Sequence, residues 1–223
     1  MQSEERQKLH TALSEAASQL PLGFGSEVLD RLLDYLALLH KWNAVYNLTA
    51  VRDPSQMLTQ HLLDCMATVP AFVNAQRLLD VGSGGGLPGV VIAIWAQQNV
   101  PAMHVHLIDT VHKKTAFLTQ VKAELGLRNV TVHTGRVEQL EMREKCDVIT
   151  SRAFAELSDF VLWSGHLLAK GGELIALKGQ AASEELERLP EQWQITRRTA
   201  VKVPGLNAQR HLVHITRAGQ VSD

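Results

Sequence analysis

The segment Leu79-Asp80-Val81-Gly82-Ser83-Gly84-Gly85-Gly86-Leu87-Pro88-Gly89 constrains the fold more than any other part of the chain. The apolar run before it and the long apolar run that starts at Val90 read as a strand entering and a helix leaving a glycine-dense turn. Glycine lacks Cβ, so a turn rich in it can tighten sharply and can admit a ligand close to the main chain. Five of the eight residues from Gly82 to Gly89 are glycine, more than a plain tight turn requires. In an open parallel sheet, ligands bind beyond the carboxyl ends of the strands, and this turn sits at such an end.

The rest of the chain agrees with a sheet of that kind. From Arg77 onward RLLDVGSG, MHVHLID, NVTVHTG, CDVITSRA and GGELIALKG are short β-rich runs, most of them separated by helical stretches. One helix is predicted over 112–125, with Phe117, Val121 and Leu125 on one face and Gly126 as its stop. Another is predicted over 156–169, with Leu157, Phe160, Val161 and Leu168 inward and Gly171 after it. Strands alternating with helices imply a mostly parallel sheet with right-handed crossovers. After about residue 190, WQITRRTAVKVP and RHLVHITRA read as a terminal antiparallel pair.

The first third is helical instead. Helices are expected over 3–20 and 26–42, the second capped by Ser26 and burying Val28, Leu29, Leu32, Leu36 and Leu39; a third starts at Asp53-Pro54 and runs towards Phe72. The domain reading is a helical extension over 1–75 packed on an α/β domain over 76–218, with a tail at 219–223.

Composition narrows the setting. The chain has 223 residues, 45% of them hydrophobic, and a formal net charge of −1, which argues against a blanket attraction to nucleic acid but leaves room for a local basic face. No stretch approaches the roughly 18 apolar residues of a membrane span, and the opening residues do not form a secretory signal. Cys65 and Cys146 lack a CxxC pairing, so neither a disulfide framework nor a zinc site is expected, and a reduced cytoplasmic compartment follows. His104, His106 and His112 do not form a ligand set at standard spacing, so no metal is expected.

Two adenosine-bearing ligands suit the glycine turn. A dinucleotide fingerprint wants a small residue at position 87, where this chain has leucine. The turn reads better as G-x-G-x-G over Gly82, Gly84 and Gly86, which resembles the first motif of seven-strand methyltransferases that use S-adenosylmethionine. Asp80 then matches the acidic residue that orients the methionine ammonium group. Asp109, at the end of the second strand, is placed to accept from both ribose hydroxyls, as it also would for a dinucleotide. Val137 and Glu138, after the third strand, stand where the methyltransferase pattern meets the adenine.

His40-Lys41-Trp42-Asn43, Tyr46-Asn47-Leu48-Thr49, His61-Leu62-Leu63-Asp64, Leu87-Pro88-Gly89, Ser151-Arg152-Ala153, Lys178-Gly179 and Arg210-His211-Leu212 carry a more specific likeness through nearly the whole chain. Together with the glycine turn, they resemble the ribosomal RNA small subunit methyltransferase G family, also called glucose-inhibited division protein B. The resemblance implies a Rossmann-like seven-strand fold with an N-terminal helical extension, and methyl transfer to N7 of one guanine in 16S ribosomal RNA. It also implies that Gly82, Leu87, Val137, Glu138 and Arg152 line the cofactor site. Two departures are small: Gly85 stands where relatives often have alanine or proline, and Cys65 where serine is usual.

N7 of guanine already offers a lone pair, so the reaction needs alignment and dryness more than a strong base. Arg152 and Lys178, after the fourth and fifth strands, are the catalytic candidates. Lys178, Arg136 and Arg210 are the candidates for RNA contact. The chain is taken as a monomer. Methylation of a small metabolite, or an adenosine-binding regulator without catalysis, remain alternatives at this stage.

Overall fold

The computed structural model describes residues 3–152, 156–179 and 188–219. Seven strands form one sheet: β1 (Arg77–Val81), β2 (His104–Asp109), β3 (Val130–Thr134), β4 (Cys146–Ser151), β5 (Leu168–Lys178), β6 (Trp193–Val201) and β7 (Arg210–Arg217). Their order is β3-β2-β1-β4-β5-β7-β6. The first five run parallel, whereas β7 lies antiparallel between β5 and β6. Strand order reverses between β1 and β4, which puts the natural ligand crevice at their carboxyl ends.

Between strands lie α5 (Gly89–Asn99), α6 (His112–Glu124) and α7 (Leu157–Ser164). Helix α5 is buried from Gly89 through Ala96 because the sheet covers one side and the N-terminal helices the other. Gly89 starts it for a steric reason: a Cβ there would run into Leu107 and stand 2.7 Å from Asp80 Oδ2. A second apolar cluster fills the opposite face of the sheet, around Phe160, Leu174, Trp193 and Ile215.

The N-terminal helices are α1 (Ser3–Ala17) and α2 (Ser26–Tyr46), followed by α3 (Pro54–Met57), a π-helical stretch (Leu58–Leu63) and α4 (Asp64–Met66). All five leucine and valine positions expected of the second helix are buried. The helix extends to Tyr46 and is capped by Asn47 in the left-handed region. Its N-cap is Gly25, without a side-chain bond, so the expected Ser26 cap is corrected: Ser26 is the first helical residue. Helix α2 reaches the glycine turn, where the Tyr35 hydroxyl donates to the Gly85 carbonyl at 2.5 Å and Leu39 packs 3.2 Å from where a Gly85 Cβ would stand. These two contacts pin Gly85.

Two further expectations are corrected. The third helix does begin at Asp53, whose carboxylate accepts from Gln56 N, but it widens into the π turn and ends in a 3-10 turn at Val69–Phe72. The helix expected over 156–169 is α-helical only to Ser164 and tightens into a 3-10 turn at Gly165–Leu167, where Gly165 leaves room for the Trp193 ring; Leu168 opens β5 instead. A leucine spaced for a helix face fits a strand equally well when its partner, here Cys146 of β4, lies far away in the chain.

Candidate active site

At the carboxyl edge of the sheet the loops leave two clefts. The first, about 440 Å³, is lined by Val81, Gly82, Ile108, Asp109, Val137 and Glu138, joined by Lys114, Asp159 and Trp163. Apolar walls with a few convergent polar groups suit a nucleoside. Asp109 Oδ1 accepts from Val111 N at 2.9 Å and Oδ2 from Gly84 N at 3.0 Å, with Lys114 Nζ 3.6 Å from Oδ2. A carboxylate offers about four acceptor positions, so capacity remains on both oxygens for a pair of hydroxyls.

Asp80 is fully buried behind this cleft. Its Oδ2 accepts from Gly89 N at 2.9 Å, capping the start of α5, while Oδ1 has no partner among the described residues. Burial pushes its pKa up to about 7, against the Gly89 amide and the Arg152 guanidinium, which pull it down. A buried carboxylate with one empty oxygen fits a cation such as an ammonium group. These residues therefore fit S-adenosylmethionine.

The glycines divide by role. Gly82 is exposed on the cleft, and Gly84, half-buried with φ 57°, turns its amide onto Asp109. Gly86 is buried, with Val90 and Leu118 where a Cβ would stand, and the Leu87 side chain packs into the main core.

The second cleft, about 320 Å³, is bounded by Gln60, His61, Asp64, Arg152, Lys178 and Arg210. Asp64 organises it. Its Oδ1 accepts from Arg210 Nε at 2.8 Å, its Oδ2 lies 3.6 Å from Arg152 Nη1, and Arg152 also donates to the Gln60 carbonyl at 3.3 Å. Burial works against the Arg152 charge but is outweighed by Cys65, Asp64, Tyr35 and Asp80, so its pKa is raised and it stays cationic. Cys65 beside it is pushed up to about 12 by burial and is an inert thiol at neutral pH. Arg152 thus stands between Asp80 on the cofactor side and Asp64 on the other.

Of the three residues expected to meet RNA, Lys178 and Arg210 share this cleft. Arg136 does not: it projects into solvent at the rim of the first cleft, 3.6 Å from Glu138. Ala153 lies outside the described residues, as do 220–223 of the expected tail. Among the histidines, His106 Nδ1 lies 3.0 Å from His133 Nε2 and His104 bonds Thr131, while His112 begins α6. Among the described residues, no three His, Cys, Asp or Glu side chains are grouped to hold a metal, and no helix is long and apolar enough to cross a membrane.

Sequence reasoning passed over Lys114, Asp159 and Trp163 as cleft residues. Asp159 and Trp163 stand one helical turn apart, off the face that buries Leu157, Phe160 and Val161, and that spacing was a usable signal. The partner of Asp64 was not legible locally, since Arg210 is 146 residues away.

The family described as rRNA small subunit methyltransferase G matches residues 28–213. The chain is 60% identical over 217 residues to a ribosomal RNA small subunit methyltransferase G of Herminiimonas arsenicoxydans, covering 97% of this chain and 100% of the relative. It is 49% identical to one from Cupriavidus pinatubonensis, covering 96% and 94%. Among solved structures it resembles an O-methyltransferase from Bacillus cereus in complex with SAH, at a TM-score of 0.57 and 16% identity over 93% of this chain and 98% of that one. TrmN from Thermus thermophilus is similar at 0.55 and 16%, over 95% and 79%. At such identity these two establish the Rossmann-like methyltransferase fold alone.

Proposed function

The chain belongs to the ribosomal RNA small subunit methyltransferase G family, and from that premise we propose that it transfers a methyl group from S-adenosylmethionine to N7 of one guanine in 16S ribosomal RNA. The observation that carries the reading is the pair of clefts on one sheet edge, one suited to a nucleoside and one lined with cations, with Arg152 between them.

When bound, S-adenosylmethionine supplies an electrophilic methyl carbon on a sulfonium. Asp109 holds the ribose, Val137 and Glu138 the adenine, Gly82 the backbone side of the cleft, and Asp80 the methionine ammonium. Gly84, Gly86 and Leu87 meet the cofactor through the main chain of the turn they form. Arg152 fixes the boundary between the clefts, Lys178 and Arg210 take the RNA backbone, and Arg136 contacts RNA from the opposite rim. No side chain has to remove a proton, since N7 attacks with its own lone pair. Alignment is therefore the main contribution of these residues, and it is worth roughly 7–11 kcal/mol of barrier in well-oriented reactions.

The small subunit or a precursor of it is the substrate, the protein acts as a monomer in the cytoplasm, and residues 1–75 serve as an extension on a methyltransferase domain spanning 76–218. Labelled methyl groups offered with protein-free RNA, 30S particles and a metabolite extract test the reading. Incorporation into 16S RNA as 7-methylguanosine is expected. Incorporation into metabolites, or into none of the three despite cofactor binding, would overturn it.

A further inference from the structure

The second cleft contains a polar group that the fold leaves unused. His61 is buried on the cleft wall, and its Nδ1 has no hydrogen-bond partner among the described residues. The other ring nitrogen, Nε2, lies 2.8 Å from Thr49 Oγ1. Thr49 is itself held in place, because its amide donates to Asn43 Oδ1 at 2.8 Å and its hydroxyl oxygen accepts from Val51 N at 3.3 Å. A hydroxyl oxygen that already accepts from an amide still has a hydrogen to donate. That hydroxyl can equally accept from the ring, so the 2.8 Å contact fits both tautomers; the one in which it donates to Nε2 puts the ring hydrogen on Nδ1.

Burial, and then the Arg152 guanidinium, lower the His61 pKa, so the ring is neutral at pH 7 and carries a single N–H. A backbone hydrogen-bond interaction of the ring with Gln60 pulls the other way, but no contact of Nδ1 with that carbonyl reaches hydrogen-bond geometry. A buried donor without an acceptor is destabilising. Such a group on the wall of a cleft lined with cations points to an acceptor brought by the ligand.

We propose that the Nδ1–H of His61 donates to O6 of the acceptor guanine, and so selects guanine over adenine in the cleft bounded by Arg152, Lys178 and Arg210. The inference rests on the reading of the chain as a guanine-N7 methyltransferase. Guanine presents N7 and O6 side by side as acceptors, whereas adenine presents N7 beside an amino donor. A fixed N–H at this place meets an acceptor on guanine and another N–H on adenine. Arg152 and Arg210 are held by Asp64, so the cations around the base have fixed positions, while His61 supplies the discrimination that charge cannot.

The paired variants His61→Gln and His61→Asn separate recognition from support, because glutamine places its amide near the position of Nε2 and asparagine near that of Nδ1. His61→Gln keeps the link to Thr49 and loses the cleft donor, while His61→Asn does the reverse. Methylation of 30S particles and affinity for S-adenosylhomocysteine are measured on both. We expect His61→Gln to lose about tenfold or more in turnover on RNA, with cofactor affinity within about twofold of wild type, and His61→Asn to recover most of that turnover. Full activity of His61→Gln, or loss in His61→Asn alone, overturns the inference and assigns His61 to loop support. Wild-type protein that methylates no RNA overturns the functional reading and the inference with it. Nitrogen-15 spectra of the wild-type imidazole provide a test that needs no variant: a hydrogen on Nε2 with Nδ1 bare overturns the assignment.

Discussion

Replacing Asp80 with asparagine should flatten the pH dependence of stability. In the folded protein the Asp80 carboxyl titrates near pH 7, because burial disfavours the charged form, against an ordinary value of 3.8. A raised acid pKa means the folded state holds its proton longer than the unfolded state. The resulting destabilisation is absent below the unfolded pKa, grows between about pH 4 and pH 7, and stays constant above. With those two values, the change between pH 5 and pH 8 is about 2–3 kcal/mol, or roughly 5–10 °C in melting temperature for a chain of this size. Asparagine keeps an acceptor for the Gly89 amide and has no such titration. Urea denaturation of wild type and Asp80→Asn at pH 5 and pH 8 reads the difference directly: the two proteins converge at low pH and separate in favour of the variant as pH rises. An ammonium group placed against Oδ1 favours the ionised form, so S-adenosylhomocysteine binding to wild type near pH 7 should release a proton, measurable by calorimetry in buffers of different ionisation enthalpy. Parallel stability curves for the two proteins, or binding without proton release, would refute the reasoning.

Gly84→Val forces a branched side chain onto a φ of 57° and should abolish calorimetric binding of S-adenosylmethionine in a protein that still melts cooperatively; near-normal affinity would move the cofactor elsewhere. Asp109→Ala should weaken the cofactor and its demethylated product alike by about 1.5–3 kcal/mol, because the ribose is common to both, and an effect on turnover alone would remove Asp109 from the ribose. Lys178→Ala should hold cofactor affinity within a few-fold yet strongly lower methyl transfer to 30S particles, while Arg152→Ala impairs both. Wild-type turnover in Lys178→Ala would take the lysine out of the acceptor cleft.

Local information in the chain was enough for the parallel sheet and its glycine turn. Alternating β-rich and helical runs, Gly82 and Gly84 at a strand end, and acids at the ends of β1 and β2 are properties of short segments, and short segments are where propensity and turn chemistry act. The same locality explains the errors. Leu168 fits a helix face until β4 claims it as a strand partner, and Ser26 looks like a cap until Gly25 takes the position. Arg136 and Arg210 look equivalent as cations near strand ends, yet the fold sends one to solvent at the rim of the nucleoside cleft and clamps the other on Asp64. The cation cleft itself joins the π-helical stretch at 58–63 to residues after β4, β5 and the start of β7. That the turn suits an adenosine-bearing ligand was legible before folding, because neighbours in the chain carry that chemistry. Which charges meet, and which nitrogen of His61 is left without a partner, was decided only when chain closure brought distant segments into one low-dielectric interior, where a buried carboxylate such as Asp64 has to find its cations.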